Sequence, residues 1–406
     1  MREYFNLTFR ALRSRNFRLF LFGQGISVIG TWMQRVALYW LVYKLTGSAF
    51  LLGMVGFAGH IPLLVLAPIA GVLIDRYSKI RIVIVTQALA MAQALLLAYL
   101  VLSGQIQVWH IIALSLALGA VNAFDVPGRQ SFYINLIDKK EDLPNAIALN
   151  SVVFHLSRFL GPSAAGIIIA TLGEGICFLI NGLSYIAVIV SLFRIRVLKE
   201  IKPEKATRMI QELKDGFRYV ASSTPLKNIL LLVAAVSLFG WSYSILLPVF
   251  AKDILGGGAV TFGFLNSATA IGAIIGAFYA ASRKDFSGLE RRAVFFTVVF
   301  GMSVILFGAS SFLWPSLIFI ALTGLGAMLH NTSANSFVQS IVMEDRRGRV
   351  MSLYAFAHQG LMPLGSLFLG WSASTYGAPA AMITAGVFCI LAALFLGPRI
   401  IASKLS

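Results

Sequence analysis

Cysteine is almost missing from this 406-residue chain. Its two, Cys177 and Cys389, lie far apart inside apolar runs, so they build neither a disulfide framework nor a zinc site and read as small core residues. Charge is thin as well: Asp, Glu, Lys and Arg make up 12% of the residues, against about a quarter in a soluble domain. With 58% hydrophobic residues and a mean hydropathy of +0.83, a water-soluble globular fold is excluded. Acids are the scarcer sign, 16 against 33 bases. Catalytic patterns are missing too. There is no His-Glu-x-x-His, no Gly-x-Ser-x-Gly and no acidic cluster within an apolar run, which argues against a membrane-embedded enzyme. Without a Gly-x-x-x-x-Gly-Lys-Ser/Thr phosphate loop a nucleotide-driven pump is disfavoured, and no metal or cofactor is expected.

What is present is apolar sequence in membrane-sized lengths. A helix needs about 20 apolar residues to cross a bilayer core. Turns and charges divide the chain into twelve such stretches, 17–43, 48–74, 79–102, 108–135, 143–171, 175–194, 227–251, 259–281, 291–312, 315–340, 349–374 and 378–398. An all-α membrane protein of twelve transmembrane helices follows. Arg2, Arg10, Arg13, Arg15 and Arg18 flank the first stretch, which is too long for a signal-peptide core and reads as a retained span.

Basic residues set the orientation. Alternate connections carry Arg76, Lys79 and Arg81; Lys139 and Lys140; the run from Arg194 to Lys227; Arg283, Lys284, Arg291 and Arg292; Arg346, Arg347 and Arg349; and finally Arg399 and Lys404. The other connections hold only Lys44 and Lys252. By the positive-inside rule the first set and both termini are cytoplasmic. The pI near 10.1 is then a sign of topology and not of nucleic-acid binding. Short loops suit a bacterial cytoplasmic membrane.

Between the sixth and seventh spans, Met209, Leu213, Phe217 and Val220 recur at helical spacing among Lys205, Arg208, Lys214 and Arg218, as in an interfacial amphipathic helix. The expected organisation is a six-helix bundle at 1–198, a linker at 199–226 and a second bundle at 227–406. The halves look alike. Gln130-Ser131-Phe132 recurs as Asn335-Ser336-Phe337 and Gly71 as Gly276, each 205 residues on, while Leu160-Gly161 with Gly166 recurs as Leu364-Gly365 with Gly370, 204 on. A duplicated bundle places its site at the interface of its halves.

The turn after the second span reads Gly71-Val72-Leu73-Ile74-Asp75-Arg76-Tyr77-Ser78-Lys79-Ile80-Arg81. It resembles the signature of the major facilitator superfamily (MFS), in which a Gly packs two helices closely and an acid followed by bases latches the cytoplasmic side. Ser78 stands where the family often has Gly, and Ala280 and Ala281 replace the acid and base in the second half, so the latch is one-sided. In span five, Gly161-Pro162-Ser163-Ala164-Ala165-Gly166 resembles the hinge element of the family's antiporters, with Ala165 for one glycine. Small residues let helices approach and Pro162 frees a carbonyl, producing a bend. In span one the acid of a further antiporter motif would fall at Gly30 and the usual Asn at Arg35, so that carboxylate is missing. With Asp125-Val126-Pro127-Gly128-Arg129-Gln130 leading into Leu143-Pro144-Asn145-Ala146, the chain is similar to the third drug:proton antiporter group, which includes enterobactin-exporter-like and macrolide-efflux-like proteins.

Ionisable residues at membrane depth are costly and face a cavity or a partner. Arg35 in span one and Arg158 near the middle of span five are substrate or coupling candidates, with His155 one turn before Arg158. Asp125 and Arg129 are four apart and able to pair on one face; the family resemblance instead links Asp125 to Lys79 or Arg76 in the cytoplasmic gate. The second half has no acid in its predicted spans but offers Trp241, His330, Asn331, Asn335 and His358, of which His330, Asn331 and Asn335 share one stretch of span ten. Deep charges sum to plus two and favour an anionic or electron-rich substrate. The expected function is that of a bilayer-embedded secondary exporter of a small organic molecule, siderophore or drug-like, working as a monomer by alternating access and driven by the proton gradient; the resemblance itself implies no substrate. An importer of a metabolite or amphiphile, or a transport-inactive sensor, are the competing readings.

Overall fold

A computed structural model describes residues 9–195, 209–283 and 287–402; the side chains of Pro68, Val72, Asp75, Ile134, Lys140 and residues 209–214 also lie outside the description. Arg2, Lys205, Arg208, Lys284 and Lys404, cited above for their charge, fall outside it as well. Among the described residues there is no strand.

Helices α1 (Arg15–Thr46), α2 (Ala49–Arg76), α3 (Lys79–Leu102), α4 (Val108–Phe132), α5 (Leu143–Leu172) and α6 (Glu174–Arg194) cover the first six predicted spans. After α7 (Met209–Ser222) come α8 (Thr224–Ile254), α9 (Ala259–Ser282), α10 (Leu289–Gly308), α11 (Leu313–Ile341), α12 (Arg347–Ala355), α13 (Met362–Tyr376) and α14 (Ala378–Ala402). Ten of these are long and apolar enough by themselves to cross a membrane. The remaining predicted spans fall on α1, which carries Arg15, Arg18, Arg35 and Lys44, and on α12 with α13, which a π-turn at Phe356–Gly360 separates. Helix α8 runs past the predicted limit and takes in Asp253, and α10 begins early enough to include buried Glu290. The second half therefore does place acids on its long helices, at their ends.

The chain forms two compact units, 1–41 with 61–205, and 42–60 with 206–406. In the first, α3 lies against α4 and α6; in the second, α10 lies against α11 and α14, the corresponding helices of the other half. Small residues permit both approaches: a Cβ on Gly182 of α6 would stand 2.8 Å from Leu95 Cγ of α3, and one on Gly301 of α10 would stand 2.7 Å from the Gly386 carbonyl of α14. The turns repeat as well. Gly173 joins α5 to α6 at φ 85° and Gly377 joins α13 to α14 at φ 88°, a region that favours glycine, and they stand 204 residues apart.

At the other end of the first unit, the Arg10 guanidinium pairs with Asp142 at 3.1 Å, Ser14 Oγ donates to the Leu136 carbonyl at 2.6 Å, and Asn145 Oδ1 accepts from the Ala11 amide. The segment before α1 is thus fastened to the α4–α5 connection. The linker segment does form a helix, α7, and it packs on the second unit: Val220 enters that unit's core, Arg346 stacks over Tyr219 at 4.6 Å, and Gly216 lies against Arg349, while Phe217 stays exposed.

Candidate functional site

Close packing of α1 on α5 builds the main polar face of the first unit. A Cβ on Gly161 would lie 2.6 Å from Trp32 Cβ and 2.9 Å from the Ile29 carbonyl, so only glycine admits this approach. Gly161, Pro162 and Gly166 are all buried. Trp32, half-buried, takes an edge-to-face contact from Phe154 at 5.8 Å, and Phe154 in turn meets His155 at 5.7 Å. The exposed Arg35 places its guanidinium 4.7 Å from the Trp32 ring centre, and half-buried Arg158 places its own 5.5 Å from the same centre. Two arginines predicted separately are therefore brought to one indole, each as a cation over an aromatic ring. A charge at membrane depth is costly unless water or a partner meets it, which makes this face a candidate for function.

Asp125 is 3% exposed and fully engaged. Arg129, one turn on, sets its Nε 2.7 Å from Asp125 Oδ2, and Oδ1 accepts from Thr86 Oγ1 at 2.9 Å and Gln87 Nε2 at 2.8 Å, both on α3. Pro127 does not interrupt α4 between the two charges. Asp125 is thus held by Arg129 and α3 rather than by Lys79 or Arg76, because the i,i+4 partner is already in place on the same helix. Lys79 instead reaches the Ser131 carbonyl at the end of α4, at 3.5 Å, and Arg76 and Arg81 are exposed. Gly71 is not a close-packing position: among the described residues, a Cβ there meets nothing within 4 Å. Its counterpart Gly276 does pack tightly, 3.2 Å from the Leu325 carbonyl. The side chain of Asp75 lies outside the described residues.

A buried network of neutral amides is the largest feature that sequence reading missed. Asn181 Nδ2 donates to Gln34 Oε1 at 2.8 Å, Gln34 Nε2 donates to Gln93 Oε1 at 3.0 Å, and Ser184 and Tyr185 bond to Asn181. It ties α1, α3 and α6 together. A Cβ on Gly30 would stand 2.6 Å from Asn181 Oδ1 and 2.7 Å from Ser184 Oγ. That network occupies the place beside Gly30 where an antiporter acid would otherwise project. Gln34, Gln93 and Asn181 carry no charge and follow no motif; their only signal is a polar residue within an apolar span.

In the second unit the candidates divide. His330 is a packing residue, 1% exposed, bonded through Nδ1 to Thr297 Oγ1 at 2.7 Å and near the Ala293 carbonyl on α10. Asn331 and Asn335 do join one patch, centred on Tyr354, a residue sequence reading passed over. Its hydroxyl donates to Asn331 Oδ1 at 2.7 Å, and Asn335 bonds both Tyr354 and Gln339. His358 stacks on Tyr354 at 6.2 Å and meets Trp241 edge-on at 5.1 Å. Trp241 follows one π-turn, Val236–Gly240, and His358 lies within another, Phe356–Gly360; Ser237 Oγ of the first donates to the His358 carbonyl at 2.6 Å. Such single π-turns concentrate where helices bend or bind. Also in this unit, Tyr43 donates a hydrogen bond to Asp253 while Lys252 lies 5.5 Å over the Tyr43 ring. Tyr43 and Asp253 border a cavity of about 520 Å³ with Gly47, Ala373 and Gly377. Among the described residues, no cluster of His, Cys, Asp or Glu suits a metal ion.

Ten helices long and apolar enough to cross a bilayer define a multi-pass membrane protein. A family model described as transmembrane secretion effector matches residues 7–403, and the chain belongs to that family, within the major facilitator superfamily. It is a transporter and not an enzyme. It is 28% identical over 354 residues to the staphyloferrin A transporter of Staphylococcus aureus, covering 86% of this chain and 87% of that one. To macrolide efflux protein A of Streptococcus pyogenes it is 22% identical over 379 residues, covering 92% and 93%. A crystal structure of a bacterial homologue of the human lysosomal transporter Spinster shares the fold, with a TM-score of 0.73 at 12% identity over 96% of this chain and 97% of that one.

Proposed function

We propose that this protein is a secondary exporter of a small organic molecule, siderophore or drug-like, with twelve crossings of a bacterial cytoplasmic membrane and both termini in the cytoplasm. The halves, six crossings each and joined through the linker that contains α7, alternate access to a central site, and proton antiport supplies the energy. The observation that carries the reading is the Arg35–Trp32–Arg158 face, where costly charges and an aromatic ring meet on two helices held together by Gly161. The efflux named for one relative and the antiporter-like Gly161-Pro162 element support outward direction. Asp125 with Arg129 serves the cytoplasmic gate, alongside Asp75 and Lys79. A protein of this kind acts as a monomer.

Accumulation of a catecholate siderophore, a macrolide and a cationic dye in producing cells tests the reading. Lower accumulation of at least one compound, restored by a protonophore, is expected. Higher accumulation than in control cells means import and contradicts it.

A further inference from the structure

The first unit carries a groove of about 490 Å³ where the end of α2 meets α3 and α4. Its two ends differ. Tyr77 and Arg81, the latter in the first turn of α3, line one end, and both are exposed. Val85 and Leu89, further along α3 and also exposed, line the rest together with Val121 and Phe124 of α4. From Arg81 to Leu89 the helix rises about 12 Å. A single basic group is thus followed by an apolar wall of about that length, the order in which a phospholipid presents its phosphate and its acyl chain.

Charge selects the kind of lipid. Residues 75–81 hold three bases, Arg76, Lys79 and Arg81, against one acid, Asp75. Lys79 is drawn to the Ser131 carbonyl, whereas Arg76 and Arg81 are exposed. A zwitterionic headgroup brings a cation of its own to this basic turn, and like charges repel. An anionic headgroup brings none, and a guanidinium fork matches two phosphate oxygens. A free phosphate meets the arginine but leaves the apolar wall uncovered. The groove also adjoins the ion pair of α4: Thr86 lines it and donates to Asp125 Oδ1 at 2.9 Å, so a chain lying there covers the side of α3 that holds the acid.

We propose that this groove binds one anionic phospholipid, its phosphate on Arg81 and an acyl chain along Val85, Leu89 and Val121. The lipid comes from the leaflet that meets the α2–α3 turn. The assignment requires a membrane protein but neither export nor proton coupling, so it stands or falls apart from the proposed function.

Native mass spectrometry of the purified full chain tests it, with phosphatidylglycerol, phosphatidylcholine of the same acyl chains and glycerol 3-phosphate as probes. The chain retains phosphatidylglycerol about fivefold more tightly than phosphatidylcholine, as one base at a membrane surface provides. Arg81→Gln removes that preference and Arg81→Lys keeps part of it, while Arg347→Gln, at an exposed arginine of the second unit, leaves it intact. Val85→Trp fills the groove from an exposed position and lowers the retention of phosphatidylglycerol as far as Arg81→Gln does. An equal hold on both lipids overturns the proposal, as does a preference that survives Arg81→Gln or Val85→Trp, or that Arg347→Gln lowers equally. Displacement of phosphatidylglycerol by an equal concentration of glycerol 3-phosphate shows an anion site only and overturns it too. If the variants fail to fold, phosphatidylglycerol with a photoreactive acyl chain decides on the wild type: labelling concentrated at residues 82–89 and 120–124 supports the groove, and labelling concentrated elsewhere overturns it.

Discussion

Glycines that read alike in the sequence have opposite surroundings, and they give the sharpest tests at the scale of single residues. Gly161 supports Trp32 at van der Waals limits, so Gly161→Ala forces α1 from α5 and costs about 1–3 kcal/mol, visible as a lowered melting midpoint in detergent. Gly71→Ala meets open space and gains up to about 1 kcal/mol of helix propensity, so its midpoint holds or rises. A drop at Gly71 as large as at Gly161 would restore the close-packing role the motif implies. Asp125→Asn leaves Arg129 partly buried beside a neutral amide and lowers stability by about 3 kcal/mol; adding Arg129→Met recovers part of the loss. Failure of the second change to recover anything would show that Thr86 and Gln87, not the ion pair, hold the site together. At this scale Arg35, Arg158, Asp125 and Arg129 are legible because a charge within an apolar run demands an explanation. Gln34, Gln93 and Asn181 are not, because a neutral amide costs little in a sequence pattern and finds its partners only in the fold.

Helices are read from length and apolarity, and their limits in the sequence come close to those in the structure: 79–102 is α3 to the residue. What apolarity does not register is a change of hydrogen-bond period inside a span. The π-turn at Val236–Gly240 lies in largely apolar sequence, those at Phe250–Ile254 and Phe356–Gly360 carry polar residues, and none is marked by a break in the helix; the one that closes α8 carries it to Asp253. Ser237 bridges the paired turns, so Ser237→Ala removes a hydrogen bond of about 1 kcal/mol and loosens Trp241 against His358. A small stability loss with a larger loss of transport is the expected outcome, measured as melting midpoint and initial flux on one preparation. Equal fractional losses in both would make the bridge a structural one. Gly173→Ala and Gly377→Ala force a side chain to positive φ, and each lowers the yield of folded protein by gel filtration.

Over the whole molecule, the repeat is visible in sequence as shared motifs and in structure as shared contacts: α3 with α4 and α6, α10 with α11 and α14, a positive-φ glycine before α6 and before α14. The repeat does not extend to chemistry. The first unit gathers its cations on Trp32, while the second presents neutral amides around Tyr354, and His330 is spent on packing. Composition foretells the membrane and the motifs point to the family; neither foretells this asymmetry, which arises only when α1 and α5 meet at Gly161. Export driven by protons is the central claim, and flux in inside-out membrane vesicles tests it most directly. With the vesicle lumen made acidic, as the outside of the cell is, the account predicts that a transported compound accumulates inside in exchange for protons leaving, so that its entry discharges the gradient. Accumulation only in right-side-out vesicles would contradict it.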